Sequence, residues 1–174
     1  MPLDEIKQIE KDMIGYKAAF IVVYKRGEYI PKPVVVKLLI PAGALVTTAF
    51  QRIPLLSMTI YNKRRANMAI VKKIYSDDMK YAYKNSTIAH SNYSHRFTYM
   101  VGEKVVPTLP FDMNPLAECS SGIHFFASKE EAMQYFNDYC LSWYLYDQDH
   151  LKSLYTFDKM LRQESKERRL KNNG

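Results

Sequence analysis

Residues 34–40 read Val-Val-Val-Lys-Leu-Leu-Ile. The β-branched residues favour extended backbone, and apolar side chains at both odd and even positions give such a strand two faces to bury. The stretch is therefore predicted as an interior strand of a sheet covered on both sides. Pro41-Ala42-Gly43 closes it.

Four further stretches fit the same sheet. Tyr16–Tyr24 is apolar and β-branched, and Lys25-Arg26-Gly27-Glu28 turns it toward the interior strand. Ala66–Tyr75 carries Met68, Ile70 and Ile74 on one face. Phe97–Met100 and Lys104–Val106 flank Gly102 as a hairpin, and Gly122–Ala127 is a short buried strand. Residues 3–14 place Leu3, Ile6, Ile9 and Met13-Ile14 at helical spacing, which predicts a short amphipathic helix stopped by Gly15. Ser128-Lys129-Glu130-Glu131 is a capping box opening a helix with Ala132, Tyr135-Phe136, Tyr139-Cys140 and Trp143 on one stripe. A last helix spans about 150–170 and frays at Asn172-Asn173-Gly174. Pro54 interrupts any regular element in 44–62, 76–95 reads as a long polar loop, and prolines punctuate 107–115.

The predicted fold is α+β, a single domain with a central, mostly antiparallel sheet covered by an N-terminal helix and a C-terminal helix. Residues 1–160 form the domain and 161–174 a basic, frayed C-terminal tail. At 174 residues and 47% hydrophobic content, one core is enough and no staples are needed. Cys119 and Cys140 make no disulfide framework. The N-terminus lacks an apolar leader and no apolar run approaches the length that spans a bilayer, so the expectation is a protein that is not secreted and not in a membrane.

The positive charge is concentrated. Residues 29–102 hold eleven bases against Asp77 and Asp78, whereas 103–174 hold nine bases against eleven acids. Such a field attracts nucleic acid or acidic protein surfaces, and it is equally what a solvated lysine-rich surface looks like. Within it, Lys63-Arg64-Arg65 and Lys72-Lys73 with Tyr61, Tyr75, Tyr81 and Tyr83 nearby form a candidate polyanion-binding set, the bases pairing phosphates while tyrosines stack. On a strand Arg64 faces away from Lys63 and Arg65, so the set is not automatically one surface, and the competing reading is a structural arginine that satisfies a carboxylate.

There is no Walker loop, dinucleotide-binding glycine turn, HExxH, paired CxxC or GxSxG. His90, His95, His124 and His150 lack metal-ligand spacing. The sequence thus gives no catalytic set, no cofactor and no metal site. Cys119, five residues before His124, is the one nucleophile candidate. The competing reading is a small buried thiol beside a core histidine, and that is the assignment adopted. His124 is then expected to be neutral and hydrogen-bonded to Glu118 or to a carbonyl of the 107–121 connection. Tyr135, Tyr139, Tyr144 and Tyr146 surround the 128–146 helix, which predicts deep burial or contact with a partner.

Three signatures occur in order: Val34–Ala44, Lys63–Val71, and Tyr99–Val105 with Phe111-Asp112 and Glu118–Ala132. Over about residues 14–140 they resemble an uncharacterised domain family of large DNA viruses and phages that often accompanies pentapeptide repeats. Its most specific part is the Glu-Cys to Gly-Ile-His-Phe-Phe block, here Cys119, Gly122, His124, Phe125 and Phe126, read as a structural signature. The chain departs from the pattern in extra residues between Leu45 and Tyr61 and in lacking a cysteine before Arg65. The resemblance implies a viral setting more than a reaction. Gly122–Tyr135 is also similar to a segment of ADP-ribosyltransferases in which a tyrosine, at the position of His124, holds the nicotinamide end of NAD; that family's other histidine and its glutamate have no counterpart here.

The function expected is a non-enzymatic viral structural or interaction protein, a virion component such as a minor capsid protein, located in the virion or host cell cytoplasm and engaging protein partners in an assembly. The alternatives are a nucleic-acid-binding accessory protein using residues 29–102, and a transferase-like enzyme at the His124 strand.

Overall fold

The computed structural model describes residues 6–47, 63–114, 120–137 and 147–173. In chain order the strands are β1 (Ile6–Gln8), β2 (Met13–Lys25), β3 (Glu28–Ile40), β4 (Leu45–Thr47), β5 (Arg64–Ala66), β6 (Ala69–Ser76), β7 (Ile88–His90), β8 (Thr98–Met100), β9 (Lys104–Val105) and β10 (Ile123–Phe125). Two helices follow among the described residues, α1 (Lys129–Tyr135) and α2 (Gln148–Asn172). The fold is α+β, and among the described residues the strands form two antiparallel sheets, β8-β7-β2-β3-β6-β9 and β1-β4-β5-β10.

The expected interior strand lies within β3, which pairs on one side with β2 from Tyr24↔Tyr29 through Met13↔Ile40 and on the other with β6. Val34, Val35, Val36, Leu38 and Ile40 are buried. The two edges of the larger sheet, β8 and β9, are consecutive in the chain with only Val101–Glu103 between them. A sheet whose edges are joined by so short a turn has to roll up. Gly102, at φ 91°, permits the turn, and its N–H donates to the Val71 carbonyl (2.8 Å) while Val71 N–H donates to Glu103 (3.0 Å). Inside the roll, Ala19, Ile21, Val34, Val36, Leu38, Val71, Ile74, Ala89 and Tyr99 form one core with Val46, Ala66, Ile123 and Phe125 of the smaller sheet. A reciprocal bridge between Tyr16 and Phe126, 2.8 Å in both directions, ties the sheets together.

The outer face of β2 is covered by the helices. Phe20 and Val22 pack on Leu151 and Leu154 of α2, and Ala18 packs on Phe136 at the end of α1. Ser128 caps α1 as expected, its Oγ accepting from Glu131 N–H at 3.1 Å.

Several expectations need correction. Residues 6–14 are not helical: they form β1 and the start of β2. β1 finds its partners in β4 and in the turn at 41–44, where Ile9 N–H donates to Ala44 O (3.0 Å) and Asp12 Oδ1 accepts from Ala42 N–H (2.8 Å). A short helix is marginal by itself, and these backbone partners favour the extended form. The cover is therefore α1 and α2, with no N-terminal helix among the described residues. The 66–75 strand is two strands, in different sheets, broken where the Asn67 side chain accepts from Leu45 N–H (2.9 Å). The two arms of the 97–106 hairpin do not pair with each other, since β8 pairs β7 and β9 pairs β6. The 122–127 strand belongs to the smaller sheet, and the 76–95 loop contains the fully buried β7. The last helix, expected over about 150–170, is found as α2, which runs on to Asn172. Tyr139, Cys140, Trp143, Tyr144 and Tyr146 lie outside the described residues, as do Pro54 and Tyr61.

Candidate ligand pocket

β10 pairs with β5 so that Ile123 faces Ala66, His124 faces Arg65 and Phe125 faces Arg64. Arg65 is 2% exposed. Its Nη1 donates to the carbonyls of Asp112 (3.0 Å) and Ser121 (2.8 Å), and its Nη2 to that of Asn114 (2.9 Å). The guanidinium lies 5.1 Å from the centre of the Phe111 ring. Burial lowers its pKa, with the Asp112 carboxylate acting in the opposite sense. Arg65 thus clamps the connection between β9 and β10 by its backbone and is not open to a phosphate. Gly122 belongs to the same unit, because a Cβ there would stand 2.9 Å from Arg65 Cβ and 3.2 Å from the Phe111 ring.

His124 donates from Nε2 to the Ser120 carbonyl at 2.9 Å, within the connection expected to supply its partner. Its Nδ1 is buried and has no hydrogen-bond partner among the described residues. Burial, then the charges of Lys17 and Lys63, push its pKa down to about 2, so the ring is neutral at physiological pH. A base so weak cannot activate a thiol at neutral pH. Cys119 and Glu118 lie outside the described residues.

In front of this strand opens a pocket of about 390 Å³. Phe97, Tyr99, Pro107, Leu109 and Ile123 give it apolar walls, and Lys17 and Lys63 bring two ammonium groups. Lys17 is on the inner face of β2, in phase with Gly15, Ala19 and Ile21, and its Nζ donates to the His124 carbonyl at 3.3 Å. Lys63 sits 5.1 Å from the Tyr93 ring centre and 5.2 Å from that of Tyr135, and the hydroxyls of those tyrosines are hydrogen-bonded to each other. Among the described residues no Asp or Glu lines the pocket.

The structure does not gather the five predicted polyanion residues. Lys63 is at the pocket, Arg65 is inside, and Arg64 is partly buried with its Nε unpartnered among the described residues. Lys72 and Lys73 are exposed on β6, in the other sheet, where a bulge opposite Lys37 and Leu38 accommodates the extra residue. Sequence reasoning missed Lys17, Tyr93 and Tyr99. The available signal was Lys17, a charge in phase with the apolar positions of its strand. Among the described residues no group of three or more His, Cys, Asp or Glu is placed to hold a metal ion, and no helix is long and apolar enough to cross a membrane.

The fold and pocket define a rolled β-sheet protein with a cationic recess. Residues 6–132 match a family of unknown function, DUF5758, and the chain belongs to that family. It is also similar to "Uncharacterized protein L223" of Acanthamoeba polyphaga mimivirus, with 35% identity over 101 residues, 58% of this chain and 61% of the relative. The matched region thus spans about three-fifths of that relative's length. No solved structure matches. The expected resemblance holds at the level of an uncharacterised family and a viral relative.

Proposed function

We propose that the protein is a non-enzymatic interaction protein of a viral setting, a virion component such as a minor capsid protein, that docks a protein partner through the connection between β9 and β10. The observation carrying this reading is that the buried Arg65 clamp holds a connection whose large apolar side chains point outward. Val106, Leu109 and Met113 are 52%, 68% and 59% exposed within one short, proline-punctuated stretch. Apolar groups shown to water on a fixed backbone are the usual mark of a contact surface. The neutral His124 also favours recognition over proton-transfer chemistry. The mimivirus relative supports the viral setting.

The test is a photo-crosslinking residue placed at Leu109 in the full chain, expressed in infected cells. One dominant protein adduct, present in purified particles and lost in the Leu109→Ser, Met113→Ser variant, is the expected result. Absence of the chain from particles, with no dominant adduct, overturns the reading.

A nucleic-acid-binding reading rests on the register pair Lys37↔Lys73 with Lys72 beside it. It requires affinity for DNA or RNA that falls steeply with salt and is lost on replacing Lys72 and Lys73. The transferase-like reading draws no support from His124, whose donor is engaged by Ser120 and whose other nitrogen is buried.

A further inference from the structure

We propose that the outer corner where the end of α2 meets β6 and β9 is a docking surface for the backbone of duplex DNA, bound without regard to sequence. This deepens the nucleic-acid-binding reading and rests on it. It does not depend on the docking of a partner at the 106–113 stretch.

Residues that face each other across antiparallel strands point to the same side of the sheet. Val36 and Leu38 point into the roll, so Lys37 points out, and so does Lys73 opposite it. The bulge leaves Lys72 as the extra residue of β6, exposed beside Lys73. One row further on, Leu39 faces Ile70 and Ile70 faces Lys104, which adds an exposed cation from β9 to the same face. Two lysines directly opposite each other repel. Among the described residues none of these four lysines has an acidic partner.

The helix brings further cations to that corner. Its path over the sheet is set by Arg162, whose Nε donates to the Ser86 carbonyl at 3.1 Å. It reaches the turn after β8, where Arg168 Nη2 is 3.6 Å from Glu103 Oε1. The Glu103 carbonyl accepts from the N–H of Val71, the residue before Lys72 (3.0 Å). The last turns of α2 therefore stand beside Lys72 and Lys104, and they carry Lys166, Arg168, Arg169 and Lys171 against Glu167. Cations at a helix C-terminus complement its dipole, but that accounts for none of the lysines on the sheet. The Arg168–Glu103 pair is exposed, 66% and 41%, and such a pair is worth little, so the guanidinium can pass to a phosphate.

The charge complements a dense row of phosphates, which duplex DNA presents on a stiff rod. Single strands are held by bases stacked on aromatic rings. The exposed tyrosines lie elsewhere: Tyr24 by the β2–β3 turn, Tyr81 past the end of β6 and Tyr93 at the pocket. Between the strand cations stand Leu39 and Ile70, not the neutral polar groups that read a ribose hydroxyl. Point charges on phosphates carry no sequence information.

The experiment is fluorescence anisotropy of the full chain with a labelled DNA duplex of mixed sequence, titrated between about 50 and about 200 mM salt. Dissociation constants of about micromolar at the lower salt, rising steeply with salt and alike for two unrelated sequences, are expected. Lys72→Gln with Lys73→Gln, and separately Arg168→Gln with Arg169→Gln, each weaken binding by about tenfold and lower the salt slope by about two, with the melting temperature kept. Lys25→Gln with Arg26→Gln, which removes the same charge at the far end of β3, leaves both unchanged. If the β6 variant weakens binding and the α2 variant does not, the shared corner is overturned while the nucleic-acid-binding reading stands. Absence of salt-sensitive binding overturns both. Tighter binding to single strands, to duplex RNA or to phosphatidylserine vesicles than to duplex DNA overturns the choice of partner.

Discussion

The Phe125 ring occupies the space that a side chain on Gly15 would need: a Cβ there would lie 2.5 Å from Phe125 Cδ2 and 3.0 Å from Cγ. Gly15 is the third residue of β2 and Phe125 is in β10, so this contact sets how closely the two sheets approach. Gly15 lies outside the left-handed conformations for which glycine is usually retained, so the requirement is one of space. Gly15→Ala is expected to destabilise the fold by about 1–3 kcal/mol through overpacking, despite the gain from a less flexible unfolded chain. Urea denaturation measures it, and an unchanged midpoint would show that the sheets part without cost.

Arg65 is expected to be the most sensitive charged position. Arg65→Ala strands the carbonyls of Asp112, Asn114 and Ser121 and should cost about 3 kcal/mol or more. Arg65→Lys keeps the charge but not the planar fork, and should recover less than half of the loss. Hydrogen exchange at the Asp112 amide, which donates to Ser121 O at 3.2 Å, should speed up in both variants. If it does not, the connection is held by something other than this guanidinium.

The long helix is fastened by a buried pair. His90 Nε2 is 2.8 Å from Asp158 Oδ1 with both side chains essentially inaccessible, and His90 Nδ1 donates to the His95 carbonyl. Phe20 stacks on the His90 ring with centroids 5.4 Å apart, beside Leu154, so the polar pair sits in an apolar seam. Asp158→Ala leaves the imidazole buried without its partner and should cost about 3–5 kcal/mol, with protection lost first over 148–160. Replacing both residues by apolar ones of similar volume should cost less than either single change. A double-mutant cycle without coupling would contradict the pairing.

What could be read in advance follows from how local each constraint is. Val34–Ile40 and the Ser128 cap carry their own instructions, the first in a run apolar on both faces and the second in a four-residue hydrogen-bond pattern, and both are found. Residues 6–14 carry a helical spacing that β4 and the 41–44 turn override, and that pairing is invisible without the fold. Asn67 breaks a promising strand by bonding Leu45, 22 residues away. The site is half legible: the connection that partners His124 can be named in advance, and a structural arginine is one of the two readings of Arg65, but its three acceptors are backbone carbonyls and not a carboxylate, which no sequence pattern marks. The approach of Lys17 to His124 depends on the bridge between Tyr16 and Phe126.

Acid should loosen the protein through its histidines. The folded state holds His124 at a pKa of about 2, and burial, reinforced by His150 and His90, also lowers that of His95. An unfolded chain protonates each near pH 6.5. Below that pH the unfolded state binds more protons than the folded one, so the stabilisation present above about pH 6.5 is lost as pH falls. For His124 alone the loss is about 2 kcal/mol between pH 7 and pH 5. His124→Ala should lower stability at pH 7 by about 1–3 kcal/mol, since the donor to Ser120 is gone, and should flatten the acid limb by about one proton. Urea midpoints at pH 7, 6 and 5 for both proteins decide it: parallel pH profiles would mean that His124 accepts a proton while folded, and that neither its burial nor the charges of Lys17 and Lys63 hold the proton off.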